Sequence, residues 1–400
     1  MSPIYSNRAA IWNAKDVNRI LFSEPFRAGK ESQYLQDALG SGFWQGDGPF
    51  TAKATAWLKD YTTAPEALLT TSCTHALELS AILLGLGPGD EVIVPSFTFT
   101  STATAVAIRG ATPVFVDIEP RTLNLDPALV EAALTPRTRA IFVVHYGGVA
   151  ADVDALLALC RKHGLALVED NAHSLGAYLN GRHLGTFGAL ATQSWHATKN
   201  VACGEGGALL INDESLAPRA EVIREKGTNR AHFLRGAVDK YTWIDQGSSY
   251  LPSDLLAALL LAQLEEFDAI QALRHRAWGR YRTDLTDWAG QHGVVAMDPP
   301  EGHRHPAHLF TLLMPTAADQ QGLIRHLAGR DIVAAFHYQP LDSAPAGLAL
   351  GRTPAPCTVT ADVAATLVRL PLHAGLSESD LDRVVSGVTS YIPLSGNTLR

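Results

Sequence analysis

A single lysine occupies an unusual setting near the middle of the sequence. Lys199 lies in the stretch QSWHATKNVACGEGG, among small and weakly polar residues, and a cluster of glycines and the apolar run ALLI follow it. A lysine in such a low-charge setting can be desolvated, which lowers its pKa toward use as a nucleophile. A surface lysine that packs its stem against apolar groups is the alternative interpretation. Ser194, five residues earlier, could reach the same small ligand.

A second candidate group lies at the start of a helical pattern. In TTSCTHALEL, small polar residues lead directly into apolar residues at helical spacing. The first turn of a helix has unpaired N–H groups at the positive end of the helix dipole, so it can bind a phosphate. Cys73 and Thr74 would then offer N–H groups and a hydroxyl. Ser72 or Thr74 acting only as an N-cap explains the same pattern.

Two carboxylates end a strongly apolar strand in LALVEDNAH. Glu169 and Asp170 at that depth need a cationic partner or several hydrogen-bond donors. A protonated pyridine nitrogen would be such a partner. A helix cap or a salt bridge to Arg or Lys explains the pair equally well.

Together, these candidate groups indicate one kind of binding site more strongly than each of them does alone. A phosphate cradle, the aromatic-bearing PSFTF, the buried Asp170 and then Ser194 and Lys199 follow one another along the chain. A pyridoxal 5'-phosphate (PLP) site needs an anion site, a ring stack, a pyridinium partner and a Schiff-base lysine. The sequence therefore predicts that PLP is the cofactor.

Strands and helices alternate from Leu68 onward, and these elements must position the candidate residues. EVIVPS, TPVFVDI, RAIFVVHY and LALVED read as short buried strands between helical patterns, and ALATQSW and GGALLI as two more strands. This alternation predicts an α/β fold with a mostly parallel sheet covered by helices. Ligands of such sheets bind outside the carboxyl ends of the strands, where TSCT, PSFTF, HYGG and EDNAH fall.

The pattern changes at both ends of this region. The first two dozen residues show no periodicity, and from about residue 271 HLFTLLM and IVAAFHY read as strands of a smaller α+β unit. We therefore predict an N-terminal extension over residues 1–25, a large cofactor-binding domain over 26–270 and a small C-terminal domain over 271–400.

Composition argues against several classes of function. The 400 residues carry a net charge of −8 without a long basic block, which argues against nucleic-acid binding. The most apolar segment, Leu255–Leu264, is too short to span a bilayer, and no signal peptide is recognisable. The four cysteines are far apart, as expected of reduced thiols in the cytoplasm.

Two other interpretations fit parts of the sequence. His303, His305 and His308 in HRHPAH are residue types that bind zinc, but zinc also needs matched partners and geometry. We expect a polar loop there and no metal. A non-catalytic protein of the same fold would need neither Lys199 nor Asp170, and both are present.

With these motifs the chain resembles the DegT/StrS family of sugar-nucleotide aminotransferases, which are PLP enzymes of fold type I. The resemblance covers nearly everything after residue 25. It is carried by SGFWQGDGPFTAKATAWL, LLTTSCTHALEL, GPGDEVIVPSFTFTSTATAV, VEDNAH, HATKNVACGEGGAL and IREKGTNR. VDKYTW, GSSYLPSDLLAALLLAQL and FHYQPL resemble in particular the dTDP-4-amino-4,6-dideoxyhexose transaminases of that family.

The resemblance implies a role for each candidate in the cofactor site. Lys199 is the Schiff-base lysine, and Asp170 pairs with the pyridine nitrogen. His173 stands where the family usually has Gln near the ring hydroxyl. Ser249 stands where many members have an Asn that reaches the phosphate from the partner subunit. The phosphate and the ring are held by Cys73, Thr74, Ser194 and, as the stacking residue, Phe99.

The resemblance also implies the substrates and the assembly. L-Glutamate is the amino donor, and dTDP-4-keto-6-deoxy-D-glucose is the acceptor, aminated at C4 by a homodimer whose subunits share the active site. We expect dTDP-4-amino-4,6-dideoxy-D-glucose as the product. A galacto product at C4, or amination at C3 of a 3-keto sugar nucleotide, is the alternative. Candidate substrate contacts, each of which could equally be structural, are Lys226, Asn229, Arg230, Tyr146 and His337.

Overall fold

A seven-stranded sheet forms the centre of the structure, a computed structural model that describes residues 18–394. Its strands are short, apolar and almost fully buried, because helices cover both faces of the sheet. The strands of the chain are β1 (Glu66–Thr70), β2 (Glu91–Pro95), β3 (Thr112–Val116), β4 (Thr138–Val144), β5 (Ala166–Asp170), β6 (Tyr178–Leu179), β7 (Arg182–His183), β8 (Leu190–Ser194), β9 (Gly207–Ile211), β10 (Val295–Ala296), β11 (His303–Arg304), β12 (Thr311–Leu313) and β13 (Leu367–Arg369).

Helices follow most of the strands, and they begin with residues that are typical of helix N-termini. Asp126 caps one helix by accepting from the Ala128 N–H, with Pro127 at its first position, as the sequence predicts. The helices are α1 (Glu31–Ser41), α2 (Pro49–Thr62), α3 (Cys73–Leu83), α4 (Thr100–Ala107), α5 (Pro127–Ala133), α6 (Val153–His163), α7 (Ala217–Arg224), α8 (Arg230–Leu234), α9 (Asp254–Glu265), α10 (Phe267–Asp284), α11 (Thr286–Gln291), α12 (Ala317–Ala328), α13 (Pro345–Leu350), α14 (Thr358–Thr366) and α15 (Glu378–Thr389).

The central sheet is mixed, with one reversed strand. Its order is β1-β9-β8-β5-β4-β2-β3, and every pairing is parallel except the two made by β9. Six strands therefore run in one direction, and their carboxyl ends share one edge of the sheet. The prediction of an α/β fold with a mostly parallel, helix-covered sheet is confirmed.

Alternate residues of the central strands point to opposite faces of the sheet. Val92 and Phe142 pack toward α3, α4 and α7, whereas Ile93 and Ile141 pack toward α5 and α6. All four side chains are fully buried, and each contributes about 1.5–3 kcal/mol of hydrophobic free energy. A slip of one residue would turn these side chains to the wrong face, so burial fixes the register and the position of the strand ends.

A second, three-stranded sheet is built from the later part of the chain. It has the order β10-β12-β13, and the prediction of a strand in HLFTLLM is confirmed by β12. The prediction that IVAAFHY is a strand is wrong. Ile332 makes an isolated bridge to Ile20, and Ala335 makes one to Arg369. Pairing with two different partners prevents one continuous strand over this segment.

The proposed division of the chain is not marked by a break in the structure. Position 270/271 lies inside the continuous helix α10, and residues 1–17 of the proposed extension lie outside the described residues. The three segments remain a prediction. Leu255–Leu264 forms most of the buried helix α9, as predicted. Between residues 18 and 394, the structure contains no helix with the length and apolar character that crossing a membrane requires.

Candidate active site

The shared carboxyl edge of the sheet opens into a cavity of about 440 Å³. The ends of β1, β5 and β8 supply its walls, because polar residues follow each of these apolar strands directly. Eight residues predicted from the sequence line it, namely Cys73, Thr74, Phe99, Asp170, His173, Ser194, Lys199 and His337. The fold thus brings together residues that are up to 264 positions apart in the chain, from 73 to 337.

Lys199 lies on the loop that joins β8 to the reversed strand β9. The loop is bonded to itself, because the Trp195 N–H donates to the Gly206 carbonyl (2.8 Å) and the Lys199 N–H to the His196 carbonyl (2.9 Å). Burial lowers the pKa of the Lys199 amine to about 8, and the nearby Asp170 carboxylate opposes this shift. No carboxylate within the described range 18–394 lies at ion-pair distance from the amine. The amine is therefore a desolvated base rather than a surface charge.

Asp170 ends β5 and is 5% exposed. Its Oδ2 accepts from the Thr102 hydroxyl (2.7 Å) and its Oδ1 from the Ala172 N–H (3.3 Å). Because the Thr102 proton is used on the carboxylate, the 2.9 Å contact between Thr98 and Thr102 places Thr98 as the donor. Burial raises the pKa of Asp170, so an isolated carboxylate is unfavourable there. A cationic ring nitrogen would restore the charged form.

Thr102 is a positioning residue that sequence reasoning missed. Thr102→Val should lower kcat about 10-fold, because a hydrogen bond to a charged group is lost and Asp170 becomes harder to ionise. The pH dependence of the cofactor's absorbance would report the weakened hold on the ring proton. Thr102→Ser keeps the hydroxyl and should behave as wild type. A valine variant as active as wild type, or a serine variant as impaired as valine, would contradict this role.

The start of α3 has the features of a phosphate cradle. Ser72 caps the helix by accepting from the His75 N–H (3.1 Å), and the N–H groups of Cys73 and Thr74 fall in the first turn, where a helix supplies no partner. A Cβ on Gly207 would collide with the backbone of Ser72 and Cys73. Glycine is therefore required at 207 for β9 to pass this close to the helix start.

His173 is neutral, and its tautomer follows from its contacts. The Gly147 N–H donates to Nδ1 (3.3 Å), so Nε2 carries the ring proton, and Nε2 lies 3.5 Å from the Tyr338 hydroxyl. Burial lowers the pKa of His173 well below its usual value. His173 therefore presents a neutral N–H donor, and its role near the ring hydroxyl remains a prediction.

Of the two candidate sugar contacts Tyr146 and His337, only one lines the cavity. Tyr146 is fully buried behind the cavity wall, and its hydroxyl lies 3.1 Å from Nδ1 of His337. Tyr146 therefore orients His337, which does line the cavity. Sequence reasoning missed Tyr338 and Arg369, although Tyr338 stands beside His337 in the quoted motif FHYQPL.

Four predicted residues lie outside the cavity of their own chain. Lys226 and Arg230 contact Glu225 at 3.2 and 3.6 Å, and Asn229 accepts from the Thr242 N–H beyond α8 (2.7 Å). Ser249 is exposed and forms an isolated bridge with Glu225. Their roles toward substrate and phosphate remain predictions that require a second subunit.

The histidines of HRHPAH are used structurally. His303 accepts from the Ala150 N–H (2.8 Å), and His308 contacts the Asn200 side chain (2.8 Å). Residues 18–394 contain no group of three His, Cys, Asp or Glu side chains placed to hold a metal ion.

A desolvated lysine after one strand, a buried aspartate after another and an anion cradle at a helix start, all at one sheet edge, define a PLP-dependent enzyme of fold type I. The residues fit this cofactor, since among residues 18–394 no cationic side chain lies at ion-pair distance from Asp170, and the first-turn N–H groups of α3 can bind a phosphate. The sequence profile of the DegT/DnrJ/EryC1/StrS aminotransferase family matches residues 26–389, and the chain belongs to this family.

The similarity of the chain to two other proteins supports this assignment. The chain is 34% identical to the spore coat polysaccharide biosynthesis protein SpsC of Bacillus subtilis, covering 93% of this chain and 96% of the relative. It is 33% identical to the GDP-perosamine synthase of Caulobacter vibrioides, covering 94% and 99%.

Solved structures also match over almost the whole chain. The aminotransferase TlmJ of Streptoalloteichus hindustanus has a TM-score of 0.86 at 31% identity, covering 95% of this chain and 99% of TlmJ. A Streptococcus pneumoniae protein described as a sugar aminotransferase, in its PLP form, has a TM-score of 0.84 at 28% identity, covering 92% and 97%. The predictions of a sugar aminotransferase and of PLP as its cofactor are confirmed.

The pKa of Lys199 predicts how the protein takes up its cofactor. Covalent attachment needs the neutral amine, which is half of the total at the pKa of about 8 and nearly all of it well above that pH. Protein stripped of PLP should therefore incorporate it faster as the pH rises, with a midpoint near pH 8 and a plateau at higher pH, as followed by absorbance. Asp170→Asn removes a charge that raises this pKa and should move the midpoint to lower pH. A midpoint near 10.5, the ordinary value for lysine, would contradict the desolvated amine.

Proposed function

We propose that the enzyme transfers an amino group from L-glutamate to C4 of dTDP-4-keto-6-deoxy-D-glucose, giving dTDP-4-amino-4,6-dideoxy-D-glucose. It acts as a homodimer in the cytoplasm. The observation that carries the amino-transfer step is the joint placement of Lys199 and Asp170 in one cavity, with the pKa of the lysine amine lowered to about 8. The similarity to a GDP-perosamine synthase supports a nucleotide-linked sugar as the acceptor.

Each site residue has a defined task. When bound, PLP supplies an electron sink for the carbanion at the donor Cα. Lys199 Nζ would remove the proton from the donor Cα as a general base and, as a general acid, deliver a proton to the cofactor carbon that carries the amino group, and a pKa of about 8 suits both roles. Asp170, oriented by Thr102, holds the proton at the ring nitrogen. His173 Nε2 offers a neutral donor on the same wall.

The acceptor side of the cavity is neutral and polar. Burial lowers the pKa of His337 well below its usual value and raises that of Tyr338 well above, so both are uncharged. Uncharged donors and acceptors suit sugar hydroxyls. Phe99, 59% exposed at the mouth, offers an apolar surface. These groups support a sugar ligand.

The test is incubation of the purified enzyme with glutamate and the keto sugar, with the product assigned by NMR. The dTDP-linked 4-amino gluco sugar is expected. A galacto configuration or a 3-amino product would overturn the named product and leave the transaminase. Amination of a GDP-linked keto sugar but not of the dTDP-linked one would overturn the proposed nucleotide. Sedimentation at the mass of one chain would overturn the homodimer.

A further inference from the structure

Arg369 places a guanidinium in the wall of the cavity. It ends β13, and its backbone is held by hydrogen bonds with Ala335 (2.7 and 3.1 Å). Its Nε and Nη2 donate to the Phe336 carbonyl (3.3 and 2.9 Å), and the guanidinium lies over the Phe22 ring at 4.5 Å. The group is held in one orientation by a carbonyl on its edge and an aromatic ring on its face. The guanidinium N–H groups that do not donate to the Phe336 carbonyl can bind a ligand.

The charge of Arg369 has no carboxylate partner in the part of the chain that the structure describes. No carboxylate within the described residues 18–394 lies within 4.0 Å of its nitrogens, whereas Arg352 pairs with Glu91 at 2.8 Å. Arg369 is only partly exposed in the cavity wall, and this burial lowers the pKa of its guanidinium. A desolvated cation without an anion is unfavourable. An anionic ligand in the cavity would remove this cost.

The position of Arg369 indicates which anionic group it can bind: the cofactor phosphate, the carboxylate of the amino-acid donor or the diphosphate of the sugar nucleotide. The cofactor phosphate has its own cradle at the start of α3. Arg369 lines the same cavity as Lys199 and Asp170, and its charge contributes to lowering the pKa of the Lys199 amine. In an amino-acid donor, the α-carboxylate is attached to the carbon that reacts. In a nucleotide sugar, the diphosphate is at C1 and the ring separates it from C4.

We propose that Arg369 binds the α-carboxylate of the amino-acid donor, with Phe22 and the Phe336 carbonyl fixing the plane of its fork. An anchored guanidinium suits this task, because two parallel N–H donors match a carboxylate in geometry as well as charge. This inference rests on the proposed function, since it requires an amino acid as donor. It gives the N-terminal segment that carries Phe22 a part in the donor site.

Separate half-reactions test the inference. Rapid mixing of the PLP form with L-glutamate measures donor affinity, and mixing of the pyridoxamine phosphate form with the keto sugar measures acceptor affinity. Arg369→Gln should raise the dissociation constant for glutamate about 100-fold and leave that for the sugar nucleotide unchanged. Arg369→Lys keeps the charge without the fork and should show an intermediate loss. Arg276→Gln, which removes a half-exposed arginine paired with Glu378, is the matched control and should bind glutamate as wild type does.

Calorimetry provides a readout that does not depend on turnover. Glutarate has the carboxylates of the donor but no amine, so its binding to the holoenzyme should weaken in Arg369→Gln while dTDP binding stays constant. Unchanged glutamate and glutarate affinity, or an equal loss of dTDP affinity, would overturn the inference. A wild-type enzyme that does not react with glutamate would instead overturn the proposed function. The two failures are therefore distinguishable.

Discussion

Lys199→Ala is expected to give a folded protein whose kcat for transamination is about 10³–10⁴-fold lower, the upper part of the range that positioned acid–base groups supply. The same residue both attaches the cofactor and moves the proton, so one substitution removes two functions. Folding should be retained, because the amine is desolvated and has no ion-pair partner within residues 18–394. Its removal leaves no orphaned charge behind.

Absorbance, borohydride reduction and thermal melting check this expectation. The variant should show no covalent cofactor after reduction and a melting temperature no lower than that of wild type. Lys162→Ala, which removes an exposed lysine paired with Glu131 (2.6 Å), is the matched control and should remain fully active. A cofactor that is still fixed by borohydride in Lys199→Ala would show that another amine carries it.

Asp170→Asn should lower kcat about 10²–10³-fold, the rate equivalent of breaking a buried ion pair. Asparagine occupies the same space and can still accept from Thr102, so the fold and the covalent attachment at Lys199 should survive. What is lost is the negative charge that keeps a proton on the ring nitrogen. Kinetics and the pH dependence of the cofactor's absorbance measure this loss.

A cofactor analogue distinguishes the effect of the Asp170 charge from the effect of Asp170 on packing in the site. PLP methylated at the ring nitrogen is permanently cationic and needs no carboxylate to hold a proton there. It should restore a large part of the activity of Asp170→Asn. Absence of any rescue would show that Asp170 acts by shaping the site. Asp60→Asn, an exposed position, serves as the control and should match wild type.

The cofactor side of the site was largely predictable because local patterns determine it. Apolar strands end in polar residues, and parallel strands bring those ends to one edge, so Asp170, Ser194 and Cys73 had to converge. Each stretch alone allowed an ordinary structural role. The alternation of strands and helices made the convergence a consequence of the fold.

The donor side depends on contacts that no local pattern encodes. Nothing in the sequence LVRLPL indicates that Arg369 lines the cavity, where the pairing of its backbone with Ala335 holds it. The same pairing breaks the predicted strand in IVAAFHY and brings His337 and Tyr338 into the cavity. Thr102 lies inside a helix, and its bond to Asp170 spans 68 residues. Long-range pairings of this kind are invisible to periodicity.

The loop that carries Lys199 also sets the timescale on which the catalytic amine moves. Ser194 and Gly207 are partners at the base of this hairpin, and the Ala197 N–H closes the loop on the Gly204 carbonyl (3.0 Å). The α-carbon of Lys199 is therefore a fixed pivot. The amine moves by rotation about its own side-chain bonds, a faster class of motion than the opening of a loop, so proton transfer does not have to wait for the backbone to open.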